Sequence, residues 1–155
     1  MAQTTDGISK SNFKVEVSAA GSVWTDISGF ATSVTPSDGD RIVGEQQTAD
    51  GDSPIIKAGK RNSVKLEINI VYTKGATDAF KVVWDLFESG AGVYVRYAPG
   101  TVATSLQFTT ANSAGAAAAA VITNCLPPEM DSSTGDVATA SFTVVCSQLL
   151  EGTVS

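Results

Sequence analysis

The chain predicts a mainly β fold: a β-sandwich or barrel-like domain with one amphipathic α-helix packed on it and a long projecting hairpin. Three observations carry this. Val64, Leu66, Ile68, Ile70 and Tyr72 alternate with Lys65, Glu67, Asn69 and Val71, the two-residue period of a strand with one buried face. Past Gly75 the period changes: Phe80, Val83, Trp84 and Phe87 fall at i, i+3, i+4 and i+7, and Val82 and Leu86 widen the stripe. Elsewhere the apolar residues sit in short alternating runs bounded by glycine, proline and Asx turns, giving about nine strands in all.

The 155 residues, 43% of them hydrophobic, leave room for one core, so a single domain spanning 1–155 is expected. The formal charge of −6 argues against general affinity for nucleic acid, which needs clustered Lys and Arg. Residues 1–11 are polar and lack the apolar stretch of a secretory signal, and no run approaches the roughly 20 apolar residues of a membrane span. The expectation is a protein made in the cytoplasm, with no membrane partner.

In chain order, residues 1–11 read as a polar N-terminal arm. Phe13, Val15 and Val17 alternate with Lys14 and Glu16 in a first strand ending at Ala20-Gly21. Val23 to Ile27 and Phe30 to Thr35 read as further strands about the Ser28-Gly29 turn, and Pro36 is expected to end that section. Residues 37–61 are poorer in apolar groups, yet extended runs from Arg41 to Ala49 and from Ser53 to Ala58 flank Asp50-Gly51, a strong hairpin signal. A hairpin projecting from the body is expected here, although a mobile surface loop would have the same composition.

The organising strand follows, then a helix over 76–89, in which Lys81 and Asp85 face water and Gly90 supplies a left-handed stop. Val93, Val95 and Tyr97 resume the alternation up to Pro99-Gly100. Ser105 to Thr109 reads as a short strand. The alanine-rich run from Gly115 to Ala120 has helical composition, but it flows into the β-branched Val121-Ile122-Thr123, which favours a strand from Ala118 to Cys125. Val137 to Gln148 reads as a long last strand, and residues 149–155 as a short C-terminal tail.

Little in the chain carries reaction chemistry. It has no histidine, which removes the commonest general base, the Ser-His and Cys-His dyads and most zinc sites. Asp38, Asp40, Asp50 and Asp52 lack the alternate ligands and terminal glutamate of an EF-hand loop, so a solvated hairpin accounts for them better. Cys125 and Cys146 are too few for a disulfide framework or a structural zinc, and buried, reduced thiols are expected. Trp24, Trp84, Tyr94 and Tyr97 could form a sugar-binding platform, but Trp84 belongs to the helix stripe and core packing explains them better. The expectation is no catalytic residue, no metal ligand, no cofactor, and no enzyme.

Several strings, in their order and spacing, carry a resemblance. They are Trp24-Thr25-Asp26-Ile27-Ser28-Gly29, Gly39-Asp40-Arg41, Asp50-Gly51-Asp52-Ser53-Pro54-Ile55, Ala58-Gly59-Lys60-Arg61 and Ile70-Val71-Tyr72-Thr73. Val95-Arg96-Tyr97-Ala98-Pro99-Gly100 and Gly135-Asp136-Val137-Ala138 complete the set. Over roughly residues 23 to 147 the chain resembles the tail tube (major tail) proteins of long-tailed bacteriophages. None of these strings is a mechanistic fingerprint, and the alanine-rich insert at 114–120 has no place in the pattern.

The resemblance implies a virion structural protein that forms hexameric rings, stacked into a hollow tube through which DNA passes without specific binding. One sheet of each subunit would join its neighbours round the channel, while the hairpin and terminal arms bridge successive rings. It implies as further partners a tape measure protein and tail terminator and baseplate proteins. The candidate inter-subunit residues are Arg41, Glu45, Asp50, Asp52 and Lys57. Glu45, Asp50, Asp52 and Glu67 are candidates for an acidic channel wall that repels the DNA backbone, and outer-surface solvation is the plainer role for them. A tube protein of a contractile injection or secretion system is the alternative, and a soluble carbohydrate-binding sandwich a more distant one.

Overall fold

Alternation at two residues per repeat dictates the centre of the molecule. The computed structural model describes residues 12–100, 106–110 and 120–153. Strand β6 (Val64–Val71) buries Val64, Leu66, Ile68 and Ile70 and turns Lys65 and Glu67 to solvent. Strand β10 (Thr139–Cys146) repeats the pattern with Ala140, Phe142, Val144 and Cys146 buried. The two pair antiparallel along their whole length, from Thr139 opposite Val71 to Cys146 opposite Val64, so their buried residues share one face. Phe142, Leu66, Ile68 and Ile70 are almost fully buried, each stabilising the fold by roughly 1.5–3 kcal/mol relative to exposure.

On either side of that pair lie β3 (Ala31–Asp38), next to β6, and β9 (Val121–Leu126), next to β10, making a four-stranded antiparallel sheet. The second sheet has five antiparallel strands in the order β11-β8-β7-β1-β2. These are β1 (Lys14–Ser18), β2 (Thr25–Asp26), β7 (Tyr94–Ala98), β8 (Leu106–Thr109) and β11 (Leu150–Thr153). Val15, Val17 and Val95 of this sheet face Leu66, Ile68 and Phe142 of the other in one core cluster. Among the described residues, strands β4 (Arg41–Gln46) and β5 (Ile55–Arg61) pair only with each other.

Helix α1 (Ala79–Ser89) packs against β9 and β6, burying Ala79 and Val83. Its apolar residues cover a wide arc, and Tyr72, Phe80, Trp84 and Phe87 form a chain of rings with centroids 5.0, 5.7 and 6.0 Å apart. Lys81 and Asp85 pair on the solvent side. Gly90 adopts φ 63°, and its amide donates to the Phe87 carbonyl, the expected left-handed stop. Beside the helix, Val93 and Ala120 exchange backbone hydrogen bonds of 2.7 and 2.8 Å, tying the two sheets together on that side.

Six sequence expectations are corrected. The helix starts at Ala79 rather than 76, because the Gly75 amide donates to the Asp78 carboxylate at 2.9 Å and holds residues 75–78 in a turn. Pro36 does not end its strand: β3 runs through it to Asp38, which an edge strand permits because no ladder bond to the missing amide hydrogen is lost. The hairpin therefore begins at Arg41, with 37 and 38 belonging to β3. Residues 149–155 are not simply a tail, since Leu150–Thr153 pairs with β8 as β11. Val23 to Ile27 contains only the two-residue β2. With eleven strands among the described residues the count exceeds nine. The arm at 1–11 and most of the alanine-rich insert lie outside the described residues.

Candidate functional site

The hairpin is where the sequence places chemistry without giving it a core. Residues 41–61 are exposed throughout β4 and β5, and among the described residues neither strand joins a larger sheet. Each is about 20 Å long at the usual rise per residue. The register sets Gln46 opposite Ile55, Glu45 opposite Ile56, Gly44 opposite Lys57 and Arg41 opposite Arg61. Asp50-Gly51 lies in a turn, with the Gly51 amide donating to the Thr48 carbonyl, inside a longer connection. The predicted hairpin is present, and β5 extends past Ala58 through Gly59 to Arg61.

Two properties of this hairpin set it apart from a merely solvated loop. Ile42, Val43, Ile55 and Ile56 are 50–59% exposed, large apolar side chains on a ribbon that stands away from both sheets. A lone two-stranded ribbon is only marginally stable in water. Its charges are also sorted along its length. Glu45, Asp50 and Asp52 lie toward the tip, while Arg41, Lys60 and Arg61 lie at the root beside Asp40, with Lys57 between. Arg41 and Arg61 stand directly opposite, an unfavourable like-charge pair, and the Arg41 guanidinium donates to the Gly59 carbonyl at 3.3 Å. None of the four ion pairs among the described residues involves residues 41–61.

The candidate acids do not come together as one group. Glu45, Asp50 and Asp52 ride on the hairpin, whereas Glu67 lies on the outward face of β6, between Thr35 of β3 and Thr143 of β10. Lys65, two residues from Glu67 on the same face, pairs with Asp38 at 3.1 Å. Ser33, Thr35, Ser37, Asn69, Ser141 and Thr143 complete the centre of this face, which is hydroxyl-rich and carries few charges.

Among the described residues, the one charge cluster with real burial joins Glu16, Arg96 and Lys14. Glu16 on β1 is 6% exposed and accepts from Arg96 Nε at 2.5 Å, with Lys14 Nζ 3.1 Å away. The Arg96 guanidinium lies 4.1 Å over the Trp24 ring. Sequence reasoning missed this cluster because Lys14 and Glu16 read as the solvent side of β1. The exposed apolar residues of the hairpin did have a sequence signal, the doublets Ile42-Val43 and Ile55-Ile56 within a polar segment.

The aromatic candidates fall in separate places. Trp24 stacks with Arg96, Trp84 joins the helix rings, and Tyr97 packs on Phe108 with centroids 5.5 Å apart. Trp24, Trp84 and Tyr97 thus make no shared platform, while Tyr94 on β7 stands opposite Ser18. Cys125 and Cys146 are buried and free, on adjacent strands but not opposite one another: Cys125 faces Phe142, and Cys146 faces Val64. Burial pushes the Cys125 thiol up to about 11, far from a reactive thiolate. Burial likewise raises Cys146, against a smaller opposing bond from the Gln148 backbone. Among the described residues no three of Cys, Asp and Glu gather as a metal-ligating group, and no helix is long and apolar enough to cross a membrane.

No protein-family profile matches the chain, and no curated protein sequence does. Solved structures do. A chain of the sheath–tube complex of an extracellular contractile injection system, PVC, in its extended state superposes with a TM-score of 0.73 at 16% identity, covering 97% of this chain and 94% of that one. The SPP1 tail tube, determined by solid-state NMR and cryo-EM, gives 0.64 at 13% identity over 96% of this chain and 81% of that one. A chain from the tail of an empty gene transfer agent particle, refined helically with C6 symmetry, gives 0.62 at 11% identity over 99% of this chain and 100% of that one. At these identities the shared property is the fold, and the fold is that of tail and injection-tube components.

Proposed function

We propose that this protein is a structural tube subunit that forms hexameric rings, stacked into the hollow tail tube of a phage particle, through which DNA is delivered. The observation that carries the reading is the hairpin: a ribbon with four half-exposed β-branched residues and sorted charge, on a fold shared with tail-tube and injection-tube chains. An apolar ribbon of this kind is stable once a second surface covers it. An acidic tip and a basic root make it complementary to a copy of itself stacked head to tail, a contact that does not close and so propagates. Arg41, Glu45, Asp50, Asp52 and Lys57 are its inter-subunit residues, and the arm at 1–11 serves the same bridging role.

The partners are further copies of the chain, a tape measure protein, and the terminator and baseplate proteins that end a tube. The site of action is the virion tail, after assembly in the host cytoplasm. Glu45, Asp50, Asp52 and Glu67 give the channel an acidic excess that keeps DNA from adhering. The same geometry serves the tube of a contractile injection system. Copurifying sheath subunits would select that reading.

Negative-stain imaging of the concentrated protein tests the assignment, with rings or tubes expected. A compact monomer at every salt and protein concentration, with no tube in the parent particle, overturns it. Deleting Arg41 to Lys57 and rejoining the chain with a short turn should leave a cooperative fold that no longer polymerises, since the core draws nothing from β4 and β5. Charge mapping on an assembled tube tests the channel: an inner wall with as many Lys and Arg as Asp and Glu refutes the acidic lining alone.

A further inference from the structure

We infer that Asp50-Gly51, at the hairpin tip, is a site of spontaneous backbone rearrangement to isoaspartate in the free subunit, and that the same dipeptide at the hairpin root, Asp38-Gly39, is held against it. The rearrangement is independent of the tube reading. Its suppression on assembly rests on that reading.

The chemistry needs only an aspartate followed by a residue without a side chain. The Gly51 nitrogen attacks Asp50 Cγ, so that a C–N bond forms and the carboxyl C–OH bond breaks. The hydroxyl leaves with the amide proton as water, and a five-membered succinimide remains. Water then reopens the ring. Cleavage of the new C–N bond returns aspartate. Cleavage of the old peptide bond leaves the chain running through Cβ and Cγ, with a free carboxylate on Cα. No oxidant, metal or second substrate enters, and mass and charge are unchanged. Two conditions govern the rate: the glycine nitrogen must be able to swing onto the carboxyl carbon, and the carboxyl must be unrestrained.

The sequence contains three Asp-Gly dipeptides, of which Asp6-Gly7 lies outside the described residues. At the root both conditions fail. Asp38 closes β3 opposite Val64, and its carboxylate pairs with Lys65 at 3.1 Å. The Gly39 amide donates to the Ser63 carbonyl at 3.1 Å. Gly39 also lies so close to Val64 that a Cβ there would be 2.9 Å from Cγ2. Swinging this nitrogen onto Asp38 Cγ would break the bond across the hairpin root and disturb packing against a core residue.

At the tip both conditions hold. The ladder ends at Gln46 opposite Ile55, so residues 47–54 belong to neither strand. Asp50 and Gly51 are exposed, and among the described residues the Asp50 carboxylate takes part in no hydrogen bond or ion pair. The Gly51 amide has one bond, 3.3 Å long, to the Thr48 carbonyl of the same turn. A turn held only by such a local bond opens at little cost. A Cβ on Gly51 would lie 2.9 Å from the Thr48 hydroxyl, so a larger residue would both crowd the turn and shield the attacking nitrogen. Rearrangement adds one backbone atom beyond the end of the ladder, which leaves the β4–β5 register intact and moves the Asp50 carboxylate onto the main chain. A tip covered by another copy keeps its turn closed and its nitrogen in place.

Peptide mapping of the unaltered protein, aged at neutral pH in heavy-oxygen water, reads the reaction. Each ring opening writes one heavy oxygen into the Asp50 peptide, and electron-transfer fragmentation separates isoaspartate from aspartate. In dispersed subunits, label at Asp50 should accumulate about ten-fold faster than at Asp38, the contrast between an open turn and a bonded one. In tubes the Asp50 rate should fall by about the same factor. Gly51→Ala, compared with its own fresh sample, should slow labelling at Asp50 and leave Asp38 unchanged. No labelling at Asp50, or equal labelling at Asp38 and Asp50, overturns the inference. Equal Asp50 rates in tubes and in subunits overturn the suppression and leave both the rearrangement and the tube standing. Absence of tubes under every condition overturns the tube reading, while the contrast between Asp50 and Asp38 is still decided on the subunits.

Discussion

Glu16 and Arg96 stand directly opposite each other on β1 and β7, and the arginine Nε lies 2.5 Å from the carboxylate, on the face of the sheet turned away from the core. Both side chains are largely shielded, at 8% and 14% exposure, so solvent does little to replace either partner. Removing one half of a shielded pair strands the other. Arg96→Ala should destabilise the fold by about 3 kcal/mol, the low end of the buried-pair range because Lys14 still reaches the carboxylate. In the Glu16→Gln background the same change should cost clearly less. Equal losses in both backgrounds, by urea denaturation, would show that the arginine acts only through its stacking on Trp24.

That pair also marks where the sequence was silent. Alternation placed β6 and β10 accurately because their two faces meet different surroundings, one a core and one solvent. On β1 both faces are buried from Val15 to Ser18, so the residue pattern and the environment disagree. The burial of Glu16 depends on Arg96, 80 residues away, and on Trp24, pairings that no local period encodes. The hairpin was legible from Asp50-Gly51 between extended runs, and its projection from the body from the drop in apolar residues over 37–61, but the point where β3 ends and the hairpin begins was not. Strand β11 escaped notice because a four-residue edge containing Gly152 has neither length nor alternation.

Two glycines separate conformational cost from crowding. Gly90 has φ +63° with open space where a Cβ would go, so Gly90→Ala should cost about 1 kcal/mol, from the left-handed backbone alone. Gly39 has φ +84° and its Cβ would lie 2.9 Å from Val64 Cγ2, in the buried end of β6. Gly39→Ala should therefore cost more than Gly90→Ala, by thermal or urea unfolding. The reverse order would mean that Val64 shifts freely.

Two titrations bound the pH range of the fold. Burial works to raise the Asp26 carboxyl, but the Ser28 hydroxyl and amide, at 2.5 and 2.8 Å, together with the Lys14 charge, outweigh it and hold the group below its ordinary 3.8. A lowered carboxyl stabilises the fold above that ordinary value, and the contribution is lost as pH falls through the folded value. Cys125 has the opposite sign of effect. Its thiol sits at about 11 against an ordinary 9.0, so the unfolded chain ionises first and stability falls as pH rises between those values. Asp26→Ala should flatten the acid limb of a stability–pH profile, and Cys125→Ala the alkaline limb. Unchanged slopes would assign the limbs to other groups.

Gly59 gives a change confined to the hairpin. A Cβ there would lie 2.8 Å from the Ile42 carbonyl oxygen, and because that atom is backbone the ribbon itself must move. No residue of β4 or β5 belongs to the core cluster. Gly59→Ala should leave unfolding within about 0.5 kcal/mol of the parent, as for surface changes generally, while weakening tube formation. Loss of the cooperative fold in this variant would show that the hairpin supports the core after all.

The charge order of the hairpin makes the most discriminating prediction. If the tip of one copy meets the root of the next, reversing one end places like charges together. Asp50→Lys with Asp52→Lys should raise the concentration needed for tubes at least ten-fold at 0.1 M salt. The defect should shrink at 1 M salt, where the screening length falls from about 10 Å to about 3 Å. Reversing the root as well, with Arg41→Glu and Arg61→Glu, rebuilds complementarity with the signs exchanged, because every copy carries both changes. Assembly should then recover toward the parent level, read by sedimentation and imaging. If the fourfold variant proved as defective as the tip variant alone, the tip would meet some other surface, and the hairpin would act through Ile42, Val43, Ile55 and Ile56 without electrostatic register.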